Sequence, residues 1–225
     1  MVTPLEWQPS MLSDYKGYTV SAILSQDAHP WLTSIHYAHR IPSISYAYGL
    51  VNEGELVGVV TYGTPPSSTL CRGVCGDEYQ ADVLELNRLV LKHNLPNEAS
   101  RLVGQSLRLL PSPRIVVSFA DSAQAHVGYV YQATNFLYTG LSTKFLDPRV
   151  KGLEHQHHAT YAHGLTNAQV IAKYGVDNVT FIERSRKHRY VTFVGSKSQR
   201  RTYRSALRYE VQAYPKVVES AMVTS

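Results

Sequence analysis

The chain has 225 residues, enough for one large domain with a substantial core, and its 44% apolar content suits a soluble globular protein. No apolar run approaches the roughly 18 residues of a membrane span, and the N-terminus lacks the basic-then-apolar pattern of a secretory signal. Cys71 and Cys75 have no second pair, which argues against a structural zinc site and for a reduced, cytoplasmic setting. The net charge of +5 is concentrated late: Arg184 to Arg208 is dense in Lys and Arg and contains no acid, a composition that favours a polyanion.

In chain order, the first candidate site is H-Y-A-H-R, His36 to Arg40, preceded by W-L-T-S-I. Read as a helix, it puts His36 and Arg40 on one face above Trp31 and Ile35. Histidine is the side chain most easily tuned near neutral pH, although a structural histidine is the commoner case. Tyr46 to Val51 and Glu55 to Tyr62 predict a β-hairpin turning on Asn52, Glu53 and Gly54. Thr64 to Asp77 has no sustained periodicity and reads as a loop.

Residues 83–140 are the most informative. Leu84, Leu86, Leu89 and Leu91 alternate at period two and predict a strand, on which Glu85 and Asn87 share a face and Arg88 takes the other. Polar residues on such a strand line a pocket or form a buried network. Asn97 sits at the N-cap of a helix carried by Leu102, Val103, Leu107, Leu109 and Leu110. Arg114 to Phe119 form a second strand, Asp121 to Tyr131 a further helix start, and Phe136 to Tyr138 a third strand. Asp121, directly after an apolar strand, fits a base or metal ligand and equally the cap of the next helix. Beyond Gly140 the chain is irregular and histidine-rich; His155, His157 and His158 have chelating spacing but no supporting carboxylate or cysteine pattern beyond Glu154. Thr166 caps a helix through Lys173 that Gly175 ends, strands follow at Val179–Ile182 and Arg189–Val194, and Thr202–Tyr209 reads as a last helix. Tyr190, Phe193 and Tyr203 are interleaved with the cations, as aromatics that stack on bases would be, or as core residues.

The order β-α-β-α-β ending in Y-V-Y-Q-A-T-N-F-L-Y-T-G resembles the second half of the GNAT acyltransferase fold. In that family two neighbouring strands splay and the acyl-CoA donor lies in the gap. The family's glycine-rich turn, whose backbone N–H groups hold the CoA pyrophosphate, is here H-N-L-P-N-E-A-S-R. It has no glycine, Pro96 removes a donor, and Glu98 puts a carboxylate where a phosphate would approach.

H-Y-A-H-R, E-L-N-R-L, N-E-A-S-R-L-V-G and S-F-A-D in this order, ahead of the basic tail with K-H-R-Y-V-T-F and A-Y-P-K, together resemble the Mom family of bacteriophage DNA-modification proteins, divergent GNAT-fold members. The resemblance implies an α/β fold with a mixed, mostly antiparallel central sheet and flanking helices. It implies a catalytic core over residues 1–150 and a basic extension over 151–225, packed on the core, with DNA contacts. The implied activity is conversion of adenine N6 in duplex DNA to its carbamoylmethyl derivative, protecting phage DNA from restriction in the host cytoplasm. By the same resemblance His36, Tyr37 and Asp121 fall on positions tied to catalysis or iron binding. Arg88, Ser100 and Tyr131 fall on positions for an acyl-CoA-type donor, Tyr131 as the acid beside the leaving group.

Carbamoylmethyl-adenine carries a CH2 on the nitrogen, so simple acyl transfer is not the whole reaction. An aminoacyl donor such as glycyl-tRNA supplies both the CH2 and the nitrogen. The target base is buried in the stack and must be flipped out, with Tyr37, Tyr46 and Tyr48 as a candidate aromatic wall. The alternative activity is conventional N-acetyltransfer to a protein or small amine, and a third is nucleic-acid binding by the basic tail alone.

Overall fold

The computed structural model describes residues 17–124, 126–156 and 158–216, without the side chains of 158 and 159. Tyr18–Ala22 forms β1, Ser25–Pro30 forms α1, Tyr46–Asn52 and Glu55–Gly63 form β2 and β3, and Ser68–Cys75 forms α2. Next come β4 (Val83–Leu91), α3 (Glu98–Leu109), β5 (Arg114–Asp121), α4 (Tyr129–Ala133) and β6 (Leu137–Leu141). The remainder is β7 (Leu146–Val150), α5 (His158–Ala162), α6 (Asn167–Tyr174), β8 (Val179–Glu183), β9 (Lys187–Val194) and α7 (Lys197–Ala206). Among the described residues no helix is long and apolar enough to cross a membrane.

The fold is α/β: a seven-stranded sheet in the order β1-β2-β3-β4-β5-β9-β6, with helices against it. β1 to β4 pair antiparallel, the predicted β2–β3 hairpin among them, whereas β4 and β5 run parallel and are joined by α3. A parallel pair needs such a crossover. α3 buries Leu102 and Val103, as its periodicity predicts, and lies on β1, β2 and β3. β1 had no sequence signal because this five-residue strand at the end of the sheet order buries none of its residues fully.

The chain divides into two compact units. Of the described residues, the first unit holds those up to Phe119 together with Gly128–Gly140 and Arg189–Pro215. The second holds Ala120–Val127, Leu141–His188 and Lys216. Inside the second, β7 and β8 pair antiparallel, and Val150, Tyr161, Val170 and Val179 make its core. Its helix α6 has a capping box, with Thr166 accepting from the Gln169 amide and Gln169 reaching back.

Three sequence expectations change. Thr64 to Asp77 is not all loop: Ser67 accepts the Leu70 N–H and starts α2, which buries Cys71, Val74 and Cys75. Spacings of one, three and four residues make that face, but the helix is too short for periodicity to stand out. The stretch after Asp121 is a 3-10 turn at Ser122–Gln124, and the α-helix starts only at Tyr129. The last helix starts at Lys197 rather than Thr202, because Ser196 and Gln199 form a capping box.

A cluster of Ala28, Leu32, Ala47, Val59 and Val90 seats α1 and the π-helical turn Trp31–Ile35 on β2, β3 and β4. The following loop is tied down by three contacts. Ser45 N–H donates to Tyr62 O at 2.7 Å, Asn87 Nδ2 donates to Ser43 O at 2.8 Å, and Gly63 lies so close under Ser43 that a Cβ would overlap its carbonyl. Backbone against backbone leaves no rotamer to relieve the overlap. Gly63→Ala is therefore expected to cost about 1–3 kcal/mol, measured as a lower urea midpoint at unchanged slope.

Candidate active site

β4 and β5 share four register pairs, Val83↔Ile115 to Leu86↔Ser118, and then part. Ser118 Oγ donates to Leu86 O at 2.9 Å at the last pair. Beyond it Asn87 to Leu91 continue along β3 alone, so the strands open into a wedge of the kind the GNAT resemblance implies. On the β3 side the register shifts between Thr61 and Tyr62, pairing Thr61 with Arg88 and Tyr62 with Leu86 and leaving Asn87 as the extra residue of a bulge. The Thr61 hydroxyl donates to Asn87 Oδ1 at 2.6 Å. The bulge changes the expected alternation: Arg88 lies in the electrostatic reach of Glu85, where an unbroken strand would send the two to opposite faces.

Around the wedge, Arg88 feels Arg40, Tyr37 and Glu85, and Tyr131 feels Tyr37 and Glu85. The structure thus gathers Tyr37, Arg40, Glu85, Arg88, Ser118 and Tyr131, with His36 in the field of Arg88. Arg88 Nη1 donates to Asn87 O at 2.6 Å, and its Nε is buried with no acceptor. An orphaned buried donor is rare enough to mark a place for a ligand acceptor. Burial, followed by the like charge of Arg40, lowers the guanidinium pKa.

Tyr131 is buried among Phe136 and Tyr190, whose ring centroids lie 5.3 and 5.1 Å away. Burial pushes its pKa to about 12, and a hydrogen bond with Ser118 works the other way. At neutral pH it is a hydroxyl that can give a proton. Glu85 is one of the polar β4 residues, with Asn87 and Arg88, that the sequence reads as lining a pocket or a buried network, whereas Ser118 has no role assigned there, because a single hydroxyl inside the apolar part of β5 is a weak signal.

His36 does not continue the helix. The π turn ends at Ile35, and His36 leaves it extended, at φ −69° and ψ 132°. The shared helical face of His36 and Arg40 is therefore replaced by a loop, in which His39 takes a left-handed φ of 43°. A π turn adds a residue to the ladder, here closing His36 N–H onto Trp31 O, and such turns frequent functional sites. Burial first, then Arg88 and His39, hold the His36 pKa down at about 4. Its Nδ1 accepts the Ala38 N–H at 3.0 Å, which puts the proton of the neutral ring on Nε2 and makes His36 a donor at neutral pH.

Tyr37 stacks on His36 at 4.4 Å and is 57% exposed, so it is available to a planar ligand. Tyr46 is half-buried. Tyr48 is a core residue, buried edge-on against Tyr62 at 6.0 Å, and does not present a free face.

Asp121 belongs to the second unit. Its Oδ1 accepts the Ala123 N–H at 3.0 Å and the Ser185 hydroxyl at 2.9 Å, and Lys187 Nζ lies 3.9 Å from Oδ2. It caps the turn that follows and pins the basic segment. Among the described residues no three His, Cys, Asp or Glu side chains converge as a metal group, so the expectation of iron on His36, Tyr37 and Asp121 gains no support. His157 and the side chain of His158 lie outside the described residues.

The turn into α3 reaches its conformation without glycine, because Asn94 and Asn97 take left-handed φ of 50° and 64°. Two of its amides are engaged internally. Glu98 is 1% exposed; its Oε2 accepts the Leu95 N–H at 2.8 Å and its Oε1 the Tyr18 hydroxyl at 3.0 Å. Glu98 N–H goes to Leu95 O, and Pro96 has none. Ser100 Oγ donates to Asn97 O at 3.1 Å. A CoA pyrophosphate does not fit this turn: a buried carboxylate already holds the anion's place.

The basic stretch is not one surface. Arg184 forks onto Asp147, Arg186 Nε donates to Ser142 O, and Arg189 bonds Thr139 while lying 3.4 Å over the Tyr209 ring. Tyr190 and Tyr203 are core residues, and Phe193 packs on Tyr203. The exposed cations are Arg184, paired with Asp147, those of α7, and Arg208.

The Mom protein family matches residues 17–216. The chain belongs to that family. The methylcarbamoylase Mom of Escherichia phage Mu is 27% identical over 195 residues, which cover 80% of this chain and 76% of the phage Mu protein. Among solved structures, a GNAT-family acetyltransferase of Bacillus cereus is 12% identical, covering 80% of this chain and 99% of its own, with a TM-score of 0.42. A Bacillus subtilis acetyltransferase in complex with CoA is also 12% identical, with coverage of 80% and 99% and a TM-score of 0.39. Within this Mom family member, His36, Tyr37, Arg88 and Tyr131 gather around the wedge between β4 and β5, whereas Ser100 stands in the first turn of α3 and Asp121 belongs to the second unit.

Two checks follow from the side-chain environments. NMR titration is expected to find His36 neutral down to about pH 5, with its pKa raised in Arg88→Gln. The folded state binds this proton less tightly than the unfolded chain, whose ordinary value is 6.5. Its contribution to stability is therefore full above pH 6.5 and lost as pH falls towards 4. Separately, Glu98→Ala leaves the Leu95 N–H and the Tyr18 hydroxyl without their acceptor, and is expected to cost about 1–3 kcal/mol in urea denaturation.

Proposed function

We propose that this protein is a DNA-modifying transferase that places a carbamoylmethyl group on adenine N6 in duplex DNA and so shields phage DNA from restriction. The observation that carries the reading is the parting of β4 and β5 at Leu86 and Ser118, beside a buried, unpartnered Arg88 Nε on β4 and a buried Tyr131 that bonds Ser118. Membership of the Mom family and the similarity to the phage Mu methylcarbamoylase support it.

The adenine amino group is a weak nucleophile, its lone pair being drawn into the ring, and it is unreachable in a stacked duplex. The base leaves the stack and lies against the exposed face of Tyr37. Arg88 Nε and His36 Nε2–H are donors aimed at charge that develops on the carbonyl oxygen of the group donor. Tyr131, protonated at any physiological pH, gives its proton to the departing atom. Glu85, whose charge bears on both Arg88 and Tyr131, takes the proton that N6 sheds. Asp121 acts indirectly, holding the segment at Ser185 and Lys187 in place.

The donor is an activated acyl group of the aminoacyl type, such as an aminoacyl-tRNA. Acyl transfer from such a donor gives an N6-aminoacyl adenine and releases the carrier hydroxyl. The carbamoylmethyl product is its isomer, reached by a redox-neutral rearrangement in which N6 passes from the carbonyl carbon to the CH2 and the donor's own nitrogen becomes the amide. Such a donor does not need the pyrophosphate turn that Glu98 fills.

DNA coexpressed with the protein is expected to yield a nucleoside heavier than deoxyadenosine by one acetamido substituent on mass spectrometry. Unmodified nucleosides would count against the reading. Tyr131→Phe, which keeps the ring packing, is expected to lower product formation by about 10²–10⁴-fold, while the circular dichroism spectrum stays unchanged.

A further inference from the structure

Away from the wedge, a groove of about 880 Å³ runs along α3 and is lined also by the end of α4, the end of β9 and the first turn of α7. Three guanidinium groups line it: Arg101 and Arg108 from α3 and Arg200 from α7. Among the described residues that line it there is no carboxylate, so its charge is set by the guanidinium groups, a surface suited to accepting phosphate oxygens.

α7 extends the charge. Lys197, Arg201 and Arg204 are exposed beside Arg200, and no salt bridge ties any of them to an acid among the described residues. Lys197 and Arg200 stand in the first turn, where the helix dipole disfavours cations and where no acidic residue offsets them. The helix needs only Tyr203 and its capping box to hold its place. Such cations lower stability unless an anion neutralises them.

We propose that this groove binds the sugar-phosphate backbone of the DNA substrate, an assignment that rests on the DNA reading above. The spacing favours a backbone over a single phosphate group: Arg101 and Arg108 lie seven residues apart, about 10.5 Å along the helix, further than one phosphate group reaches. Phosphate contacts of this kind set register and orientation without reading sequence, so the groove positions the duplex while the wedge selects the base.

The test is duplex binding as a function of salt for wild type, Arg108→Gln/Arg200→Gln and the charge-conserving Arg108→Lys/Arg200→Lys. Both arginines are exposed, and the lysine pair controls for folding. The glutamine pair is expected to weaken binding equally on unrelated duplexes and to lower the slope of log K against log salt by about two; the lysine pair keeps the slope. An unchanged slope and affinity in the glutamine pair would overturn the groove assignment while leaving the DNA reading intact. Loss of inorganic pyrophosphate binding with duplex binding unchanged would overturn it too, in favour of a small-phosphate site. If wild type bound no duplex and coexpressed DNA carried no modified nucleoside, the DNA reading itself would fall, and the groove assignment with it.

Discussion

The site depends on the point where β4 and β5 stop pairing. A parallel ladder of four pairs ends at Leu86↔Ser118, with the Ser118 hydroxyl closing onto Leu86 O, and two backbones then separate that would otherwise satisfy one another. Such a parting is costly unless other groups take over. On the β4 side that role falls to the bulge at Asn87, whose side chain links Thr61 to Ser43, and on the β5 side to Ser118 and Tyr131. The same contacts that close the end of the ladder therefore place Arg88, Glu85 and Tyr131 within electrostatic reach of one another. The loop carrying His36 and Tyr37 is set by the same bulge, through Ser43, and by the close approach at Gly63.

Much of this could be read from the chain. The β4-α3-β5 order, the β2–β3 hairpin and the polar residues of β4 follow from period-two and helical spacing together with turn chemistry, which are local properties. The bulge was not legible, because it arises from the fit of β4 to β3, and it reversed the side on which Arg88 falls. The helical reading of His36–Arg40 failed because the π turn, anchored by Leu32 and Ala28 on the sheet, ends the helix at Ile35. At Asp121 the structure shows the local bonds, to Ala123 in the turn that follows and to Ser185, and not the cap of an α-helix, because that helix starts only at Tyr129. The acid-free run from Arg184 to Arg208 looked like one surface, but in its first half Arg184, Arg186 and Arg189 are bonded to Asp147, Ser142 and Thr139, and the exposed cations without such partners cluster on α7.

The turn into α3 separates two properties that usually travel together. The wedge between β4 and β5 is present, while at the turn Glu98 and Leu95 O take up two backbone donors and Pro96 supplies none. Asn94 and Asn97 supply the left-handed backbone that glycine provides elsewhere, so the closure is chemical and not conformational. On the proposed function, a chain whose turn into α3 is filled by its own carboxylate takes the transferred group from a carrier other than CoA.

Calorimetric titration of the protein with acetyl-CoA in the absence of DNA tests this separation most directly. With Glu98 buried in the turn, no saturable binding is expected up to millimolar ligand. One-site binding at micromolar Kd, weakened by Ser100→Ala at the start of α3, would contradict it and return the chain to conventional CoA-dependent acyl transfer.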